Sequence, residues 1–557
     1  MPTMVVGIQA FFIFHILFRG VGMYRKAAGL YIVMVALFAG MVCRIYALTM
    51  GDTLASVANT QSGFLLEVDR TRGMIYDRNM QPLVGTKIKP VAAVAPIPET
   101  VKALAEFSQE KEISYDGQAR QPYLLYPEED IYAHGIQMFD VAQRYSDGQL
   151  APHIIGYLAP DHKEGAAGVE LACDDILEAH SGSLQLRYTI DAAGRTLDIE
   201  PEVITDNYQD AGGVVLTLDA GIQRAAQNAM AKVEKGAAVV MDVNTGNLLA
   251  SVSLPAYDAN HLAESLQDKN SPFVNRAFSP YSVGSTFKLI VAAAALENGF
   301  GRYTPYTCKG YIDVSNHIFY CHWRPGHGEL DLKRALEISC NPYFIHLGRI
   351  ATGNRITALA RSIGFSRASY LSEDLVTQSG TLPSQQELEN PAALANLSFG
   401  QGSLTATPIQ IAQMICAVAN GGYAVTPRLI EGETENGEVI KNHMPVYASN
   451  RVFSEKTSDI LRECLVANVE EGSGEKARPL RGQAGGKTAS AQTGIYRTPG
   501  KEDSEIVHAW FAGFYPADTP RYAIVVLVEG GNSGSDSAAP IFKKIADAIG
   551  ILDLTQP

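Results

Sequence analysis

The sequence predicts an α+β protein that starts with a membrane helix and ends in a domain built around an antiparallel sheet. One apolar run near the N-terminus is long enough to span a bilayer. In the second half, two apolar strands are joined by a short turn, and further strand-like runs and a terminal helix follow. An antiparallel sheet with helices packed against it is typical of the α+β class.

Composition excludes nucleic acid as an expected partner. The chain has 557 residues, of which 46% are hydrophobic and 19% charged, and its formal net charge is −14. Surfaces that bind phosphate backbones are normally basic. A domain length of about 150 residues gives roughly three to four domain-sized units. An uncharged or cationic polymer, or a small substrate, fits this charge better than a nucleic acid.

The N-terminal region predicts a membrane anchor. Arg25 and Lys26 precede an apolar run from Ala27 to Cys43, which continues past Arg44 to Leu48. The positive-inside rule then puts the N-terminus in the cytoplasm and the bulk of the chain outside. We predict a cytoplasmic tail or weak apolar segment over residues 1–26 and one transmembrane helix over residues 27–48 of a cell-membrane protein. No small-x-small cleavage site stands out, which favours an anchor over a removed signal peptide.

A shorter apolar stretch lies upstream, from Met4 to Phe18. It carries Gln9 and His15 and is marginal for spanning a bilayer. Two interpretations stay open. Either this stretch is a second, weak membrane segment, or Met23 is the true start and the protein does not include the stretch. The intact mass of the purified protein distinguishes them.

The next region, residues 49–212, predicts an irregular α+β module. It has short β-type runs broken by Gly, Pro and Asp, and it lacks long helical periodicity. From Gly213 the pattern tightens into a buried strand that ends at Leu218, with Asp219 as the cap of a helix from Ala220 to Glu234. We therefore predict that a second large domain covers residues 213–557.

The strands of this second domain follow from apolar runs. Gly236–Asp242 and Leu248–Val252 are joined by a turn and predict a hairpin. Two further strands are predicted at His508–Tyr515 and Tyr522–Glu529, followed by a helix around Pro540–Ile549.

The seven cysteines are too few for a secreted disulfide scaffold. Cys308 and Cys321 merit attention, because His322 and His327 follow the second of them. The spacing matches no strong zinc pattern. Inert thiols, a disulfide and a metal site all stay open, and we assign no metal ligand.

Ser285 and Lys288 lie three residues apart, which on a helix places a nucleophile beside its own base. A serine hydroxyl is a poor nucleophile until a base removes its proton. Lys288 can serve as that base only if its pKa is lowered, which burial and a second cation such as Lys487 would do. A helix N-terminus at Ser285 would favour the alkoxide.

Two further motifs complete an ordered set, S-x-x-K, S-x-N and K-T-x, that acyl-serine enzymes share. They are Ser339-Cys340-Asn341 and Lys487-Thr488-Ala489. Each alone has a structural explanation, a helix cap or turn for the first and an edge-strand lysine for the second. In this order and company they predict an acyl-enzyme catalyst.

Other motifs are spread over nearly the whole chain. They are Arg72–Arg78 (R-G-M-I-Y-D-R), Arg144-Tyr145, Ala151–Tyr157, Gly168-Val169-Glu170, Asn275-Arg276-Ala277, Gly400-Gln401-Gly402, Ala406-Thr407-Pro408 and Trp510–Gly513. With these motifs the chain resembles the class B penicillin-binding proteins, which are monofunctional peptidoglycan D,D-transpeptidases. The resemblance implies a pedestal (dimerisation-type) domain over residues 49–212 and a penicillin-binding transpeptidase domain over residues 213–557.

The resemblance also implies roles for the site residues. Ser285 forms the acyl-enzyme and Lys288 is its base, while the Ser339 hydroxyl relays a proton to the leaving amine and Asn341 orients Lys288 and the substrate. Lys487 and Thr488 hold the carboxylate of the terminal D-alanine. Backbone N–H groups of Ser285 and Ser490 form the oxyanion hole. No cofactor is implied.

The implied partners are peptidoglycan stem peptides, β-lactams and a membrane-embedded glycan polymerase of the SEDS type (shape, elongation, division and sporulation). An alternative function is a catalytically weak scaffold or β-lactam sensor that organises the wall-synthesis complex. A β-lactamase is disfavoured, because Glu387-Leu388-Glu389-Asn390 does not reproduce its E-x-E-L-N motif. The sequence does not distinguish elongation, septal and sporulation roles.

Two positions depart from the family pattern. Ala489 stands where the family usually has Gly, and its methyl group is expected to narrow the room beside the substrate. Val283 stands where a proline commonly precedes the Gly-Ser pair, which removes a preset backbone angle. Neither departure removes a reacting group, but both bear on substrate preference and β-lactam sensitivity.

Overall fold

The computed structural model describes residues 22–50, 62–111, 113–160, 162–447, 449–496 and 505–555. The helices, in chain order, are α1 (Met23–Met50), α2 (Pro98–Lys111), α3 (Pro152–Ile155), α4 (Gly168–Ala172), α5 (Asp174–Ala179), α6 (Ala220–Met230), α7 (Leu262–Ser265), α8 (Lys288–Glu297), α9 (Leu332–Glu337), α10 (Asn341–Ala351), α11 (Gly353–Ile363), α12 (Gln385–Leu388), α13 (Pro391–Ser398), α14 (Pro408–Ala419), α15 (Glu455–Glu471) and α16 (Ala539–Thr555). Three shorter turns of other helix types are 3-10 at Gly284–Phe287 and Glu475–Ala477, and π at Gly534–Ala538.

The strands vary in length, and the two longest belong to a central sheet of five strands. They are β1 (Gly63–Thr71), β2 (Met74–Tyr76), β3 (Lys87–Val94), β4 (Tyr123–Leu125), β5 (Ile136–Gln143), β6 (Tyr157–Leu158), β7 (Gly165–Ala167), β8 (Gly182–Thr189), β9 (Glu202–Asp206), β10 (Gly213–Leu216), β11 (Gly236–Asp242), β12 (Leu248–Leu254), β13 (Tyr281–Ser282), β14 (Tyr306–Cys308), β15 (Tyr311–Val314), β16 (His317–Tyr320), β17 (Gly328–Leu330), β18 (Thr405–Ala406), β19 (Tyr423–Ala424), β20 (Ile430–Thr434), β21 (Ile440–Lys441), β22 (Asn450–Arg451), β23 (Gly485–Tyr496), β24 (Glu505–Tyr515) and β25 (Tyr522–Val528).

Helix α1 is the membrane-length helix that the apolar run predicts. Within the described ranges it is the one helix long and apolar enough to cross a bilayer, over Tyr24–Ala47, and its side chains are exposed. The helix begins before residue 27 and continues beyond residue 48, so the basic residues Arg25 and Lys26 are helical and are not part of an extended tail. The apolar stretch from Met4 to Phe18 lies outside the described residues.

The chain divides into two compact units. The first comprises residues 1–68, 90–139 and 184–204. Its small core is formed by Ala92, Val94, Leu104 and Ile131. Helix α2 belongs to this unit and is a 14-residue helix that was not predicted within the α+β module. The apolar residues of α2 recur at helical spacing, and Leu104 is the most deeply buried of them. A helix with so narrow an apolar face is hard to distinguish from irregular structure in the sequence.

The second unit comprises residues 69–89, 140–183 and 205–557. Its boundaries differ from the division at residue 213, because residues 69–89, 140–183 and 205–212 of the expected pedestal belong to it. A buried carboxylate, Glu170, joins the first two of these segments. It pairs with Arg72 at 3.1 Å and Arg144 at 2.8 Å, and it accepts a hydrogen bond from the Tyr145 hydroxyl at 3.1 Å. Three of the sequence motifs thus converge on one fully buried charge.

The central sheet of the second unit has the strand order β12-β11-β25-β24-β23, and all its pairs are antiparallel. Alternate residues of β11 face two different cores, with Val239 and Met241 on one side and Ala238 and Val240 on the other. Both faces are therefore covered, which explains why the strands read as continuous apolar runs. The predicted antiparallel sheet is confirmed, and β23 is its edge strand.

The helices that flank the sheet also match the expectations. Helix α6 is capped by Asp219, whose carboxylate accepts hydrogen bonds from the backbone N–H groups of Gly221 and Ile222. It ends at Met230, one turn before the predicted end. Helix α16 covers the same face of the sheet; it begins one residue before the predicted Pro540 and continues past the predicted Ile549 to Thr555.

Candidate active site

Ser285 lies in the 3-10 turn that leads into α8, and the turn depends on two glycines. Gly284 has φ of +57° and donates its backbone N–H to the Gly400 carbonyl at 3.0 Å. Gly400 has φ of +85°, and a Cβ there would lie 1.8 Å from the Gly284 carbonyl oxygen. Only glycine permits this approach, so the Gly400-Gln401-Gly402 motif supports the turn that carries Ser285.

The backbone angle at Val283, the residue before this turn, explains why a proline is absent there. Val283 has φ of −97°. A proline ring holds φ within about 15° of −65°, so the observed backbone lies outside the range of proline. The valine is fully buried and belongs to the main core. Position 283 is therefore fixed by packing instead of by a ring.

Lys288 is the first residue of α8, and its side chain is fully buried. Its Nζ lies 2.7 Å from Asn341 Oδ1, 3.0 Å from Ser339 Oγ and 2.9 Å from the Ser339 carbonyl oxygen. Burial, followed by the nearby charge of Lys487, lowers the pKa of Lys288 well below its usual value. The direction of the pKa shift favours a neutral amine.

The contacts of Lys288 also fix the direction of one proton. A neutral amine has two N–H donors and one lone pair, whereas amide and carbonyl oxygens can only accept. The two donors therefore go to Asn341 Oδ1 and the Ser339 carbonyl, which leaves the Ser339 hydroxyl to donate to the lone pair. In the part of the chain that the structure describes, no hydrogen bond joins Ser285 Oγ to Lys288 Nζ. Such contacts often form only when substrate is bound.

The S-x-N motif spans the loop between α9 and α10. Ser339 has φ of +56°, a left-handed conformation that is uncommon for a residue with a side chain. Cys340 precedes the first residue of α10, and its N–H bonds the Ala335 carbonyl at 3.0 Å. This loop turns the carbonyl and the hydroxyl of Ser339 toward the same lysine.

The K-T-x motif lies on the edge strand β23. Lys487 is fully buried, its Nζ donates to the Thr488 carbonyl at 3.1 Å, and burial lowers its pKa to about 7. The strand packs against the Ser285 turn, since a Cβ on Gly284 would lie 3.2 Å from Ala491. Trp510 of the neighbouring strand donates its indole N–H to the Ser282 carbonyl at 3.0 Å.

The other residues expected along this strand differ in exposure. Ala489 is 3% exposed and packs in the main core, so its methyl group fills core space and does not narrow the open cleft as expected. Ser490 is exposed, and its hydroxyl accepts a hydrogen bond from the Gly534 N–H at 3.2 Å. The Thr488 hydroxyl lies 2.8 Å from Ser473 Oγ. Sequence reasoning missed Ser473, which carries no signal beyond its place between two glycines.

Four possible metal ligands lie beside the S-x-N loop. The donor atoms of Cys308, Cys321, His327 and Cys340 all lie within 4.8 Å of one another. Three thiolates and one imidazole are a common tetrahedral zinc set, and with Zn–S bonds of about 2.3 Å their sulfurs lie roughly 3.8 Å apart. Small shifts of these side chains would therefore seat a zinc ion.

The electrostatics of this cluster favour the thiolate form of Cys321. All cysteines in the described ranges are free thiols, so the disulfide alternative for Cys308 and Cys321 is not formed. The hydrogen bond between Cys321 and Cys340 lowers the pKa of the Cys321 thiol and raises that of Cys340, which burial also raises. A metal ion held there would tie β14 and the segment after β16 to the residue between Ser339 and Asn341.

Comparisons with known proteins agree with this geometry. A family model described as "Penicillin binding protein transpeptidase domain" matches residues 236–547. The chain is 30% identical to the stage V sporulation protein D of Bacillus subtilis, covering 89% of this chain and 80% of that one. It is 31% identical to the peptidoglycan D,D-transpeptidase PbpA of Mycolicibacterium smegmatis, covering 71% of this chain and 82% of that one.

A solved structure shares the fold over almost the whole length. It is described as "Structural coordination of polymerization and crosslinking by a peptidoglycan synthase complex". The TM-score is 0.68 at 24% identity, with 95% of this chain and 98% of that chain covered. At this identity the likeness shows the fold alone.

Proposed function

Since the chain belongs to the penicillin-binding transpeptidase family and is a peptidoglycan D,D-transpeptidase, we propose that Ser285 is its acylated nucleophile and Lys288 the general base. The observation that carries this assignment is the fully buried Lys288 Nζ, held by Ser339 and Asn341 one helical turn after Ser285. Burial and the nearby charge of Lys487 lower the pKa of Lys288, which favours the neutral amine that can accept a proton.

The reaction starts on the donor stem peptide. Lys288 takes the proton of the Ser285 hydroxyl as Oγ attacks the carbonyl carbon of the penultimate D-alanine. The negative charge that forms on the carbonyl oxygen is stabilised by the backbone N–H groups of Ser285 and Ser490. Ser339 donates its proton to the nitrogen of the leaving D-alanine and is reprotonated from Lys288. The C–N bond breaks, and the acyl group stays on Ser285.

The second half-reaction runs in the opposite sense. The amine of a neighbouring stem attacks the acyl carbon and its proton passes through Ser339 to Lys288. The ester bond then breaks as Lys288 returns a proton to Ser285 Oγ. The product is a new peptide cross-link. Protonated Lys487 and the Thr488 hydroxyl hold the terminal carboxylate of the donor during the first step, and Ala489 contributes strand backbone beside it.

Covalent labelling with a fluorescent penicillin tests this assignment. We expect a slowly released label on the detergent-extracted full chain and no label on Ser285→Ala. Equal labelling of the variant, or a folded wild-type chain that takes no label, would contradict it.

We further propose that the protein is a single-pass membrane protein whose bulk is extracytoplasmic and whose partner is a membrane-embedded glycan polymerase. Helix α1 supports the anchor by its length and exposure. The relative described as part of a synthase complex supports the partner. The contact surface would be α1 and the pedestal region. Replacing residues 23–50 by an unrelated span should abolish co-purification with the polymerase while labelling of Ser285 persists.

A further inference from the structure

The hydroxyl of Thr488 belongs to a chain of hydrogen bonds that leads away from the site. Its Oγ1 lies 2.8 Å from Ser473 Oγ, which in turn lies 3.0 Å from Asn468 Oδ1. The Asn468 amide nitrogen donates to the Gly486 carbonyl at 2.7 Å. Asn468 is fully buried near the end of α15, and Gly486 directly precedes Lys487.

The direction of each proton in this chain follows from its far end. A carbonyl oxygen cannot donate, so the amide group of Asn468 must turn its nitrogen toward Gly486 and its oxygen toward Ser473. The oxygen only accepts, and Ser473 has a single proton, which it gives to Asn468. Thr488 is therefore the donor in its bond to Ser473. In this arrangement the Thr488 proton is not available to a ligand.

A bound carboxylate requires the opposite arrangement, because it too can only accept. If Ser473 turns its proton toward Thr488, the Thr488 proton is released to a carboxylate beside Lys487. The change needs rotation of two hydroxyl protons and no movement of heavy atoms. The cost is one hydrogen bond to Asn468 Oδ1, and the gain is one to a charged acceptor, which is worth more.

We propose that Ser473 is a positioning residue whose hydroxyl switches between Asn468 and Thr488 and so makes Thr488 a donor to the substrate carboxylate. The inference rests on the proposed function, in which Thr488 holds that carboxylate.

The position of Ser473 is well fixed for this role. Its backbone N–H bonds the carbonyl of Glu337, the last residue of α9, at 3.1 Å. The glycines on both sides leave room for the amide group, since a Cβ on Gly472 or Gly474 would lie 2.7 Å from the Asn468 amide. The hydroxyl is therefore held between α15 and β23 by backbone contacts that do not depend on a ligand.

Two acylating reagents that differ only in charge test the proposal. One is a penicillin with its free carboxylate, and the other is the methyl ester of the same penicillin, each followed by intact mass of the full chain. We expect Ser473→Ala, which removes the partner that orients the Thr488 hydroxyl, to slow acylation by the free acid by up to roughly tenfold and acylation by the ester less than about twofold. Ser473→Thr, which keeps the hydroxyl, should restore most of the rate with the free acid.

A double variant completes the test. If Ser473 acts through Thr488, then Thr488→Ala combined with Ser473→Ala should be no slower with the free acid than Thr488→Ala alone. Equal slowing of both reagents by Ser473→Ala, or no slowing of either, would overturn the proposal. Failure of the wild type to be acylated at Ser285 by either reagent would instead count against the proposed function.

Discussion

Asn341 Oδ1 lies 2.7 Å from Lys288 Nζ, so a neutral oxygen sits where a carboxylate would hold the lysine in its charged form. An amide at this position adds no negative charge that would offset the lowering of the Lys288 pKa by burial and by Lys487. An opposite charge within about 4 to 6 Å moves a pKa by about one to three units.

Asn341→Asp tests that choice with almost no change of shape. We expect the pKa of Lys288 to rise, so that acylation at pH 7 falls roughly ten- to a thousandfold and recovers as pH increases. The measurement is the acylation rate by penicillin against pH. Asn354→Asp, at an exposed position of α11, is the control and should leave the profile in place. A uniform loss at every pH would mean that Asn341 matters for structure only.

The titration of Lys487 should cause the acylation rate to fall at alkaline pH. Its pKa of about 7 means that the free enzyme loses the charge that attracts the carboxylate as pH rises through neutrality. The rate should therefore rise from acid pH as Lys288 becomes neutral and fall above about pH 7 by up to roughly tenfold per unit. Lys487→Arg keeps its charge at all these pH values and should lose the alkaline limb. An unchanged limb in this variant would assign it to another group.

Gly400 and Gly402 form a matched pair for testing the Ser285 turn. Both have φ of +85°, but a Cβ at Gly402 would have its nearest neighbour at 3.5 Å, whereas at Gly400 it would meet the Gly284 carbonyl oxygen at 1.8 Å. Gly402→Ala should cost about 1–2 kcal/mol of stability for the left-handed backbone alone. Gly400→Ala should cost more and also abolish acylation. Equal thermal midpoints and equal labelling would show that the close approach is unimportant.

Glu170 should be a principal source of stability in the second unit. Glu170→Gln removes the charge shared by the buried Arg72 and the partly exposed Arg144, while Arg72 keeps its ion pair with Asp174, so we expect a loss of about 3 kcal/mol in the free energy of unfolding. Glu202→Gln removes an exposed ion pair with Arg187, at 3.0 Å, and should cost no more than about 1 kcal/mol. Thermal and denaturant unfolding of the full chain measure both. A small effect at Glu170 would indicate that water reaches the network.

The cysteine cluster predicts a bound zinc ion. Elemental analysis of the full chain purified without chelator should give about one zinc per chain, which Cys308→Ser should reduce. Cys416→Ser changes a buried thiol outside the cluster and should keep the metal. Chelation should lower the thermal midpoint and expose the cluster thiols to alkylation. A metal-free chain whose thiols react equally before and after chelation would refute the site.

Elements with a strong local pattern could be predicted from the sequence. Strand β25, and strand β11 up to Met241, are apolar because both faces of the sheet are buried, and Asp219 is a standard cap for α6. The contact of Lys288 with Ser339 and Asn341 could be expected because the three motifs occur in a recognisable order. The roles given to these residues stay predictions.

The features that could not be predicted depend on tertiary contacts. Cys308, Cys321 and His327 could be noticed in the sequence, but the fourth candidate ligand, Cys340, belongs to the S-x-N motif and meets them only through the fold. The second unit combines segments that are distant in sequence, because Glu170 binds both Arg72 and Arg144. The position of Ser473 depends on where α15 ends. The residues around Thr488 in the sequence give no indication that Ser473 lies beside them.

The backbone bond between Gly284 and Gly400 also has a kinetic meaning. The turn that carries Ser285 closes only when a segment more than a hundred residues further along the chain has folded onto it. Lys487 lies further along the chain than that segment. Non-local closures of this kind are slow steps in folding. A growing or truncated chain that lacks β23 should therefore be unable to react, and the fraction of chains that a penicillin labels becomes a direct count of those that have finished folding.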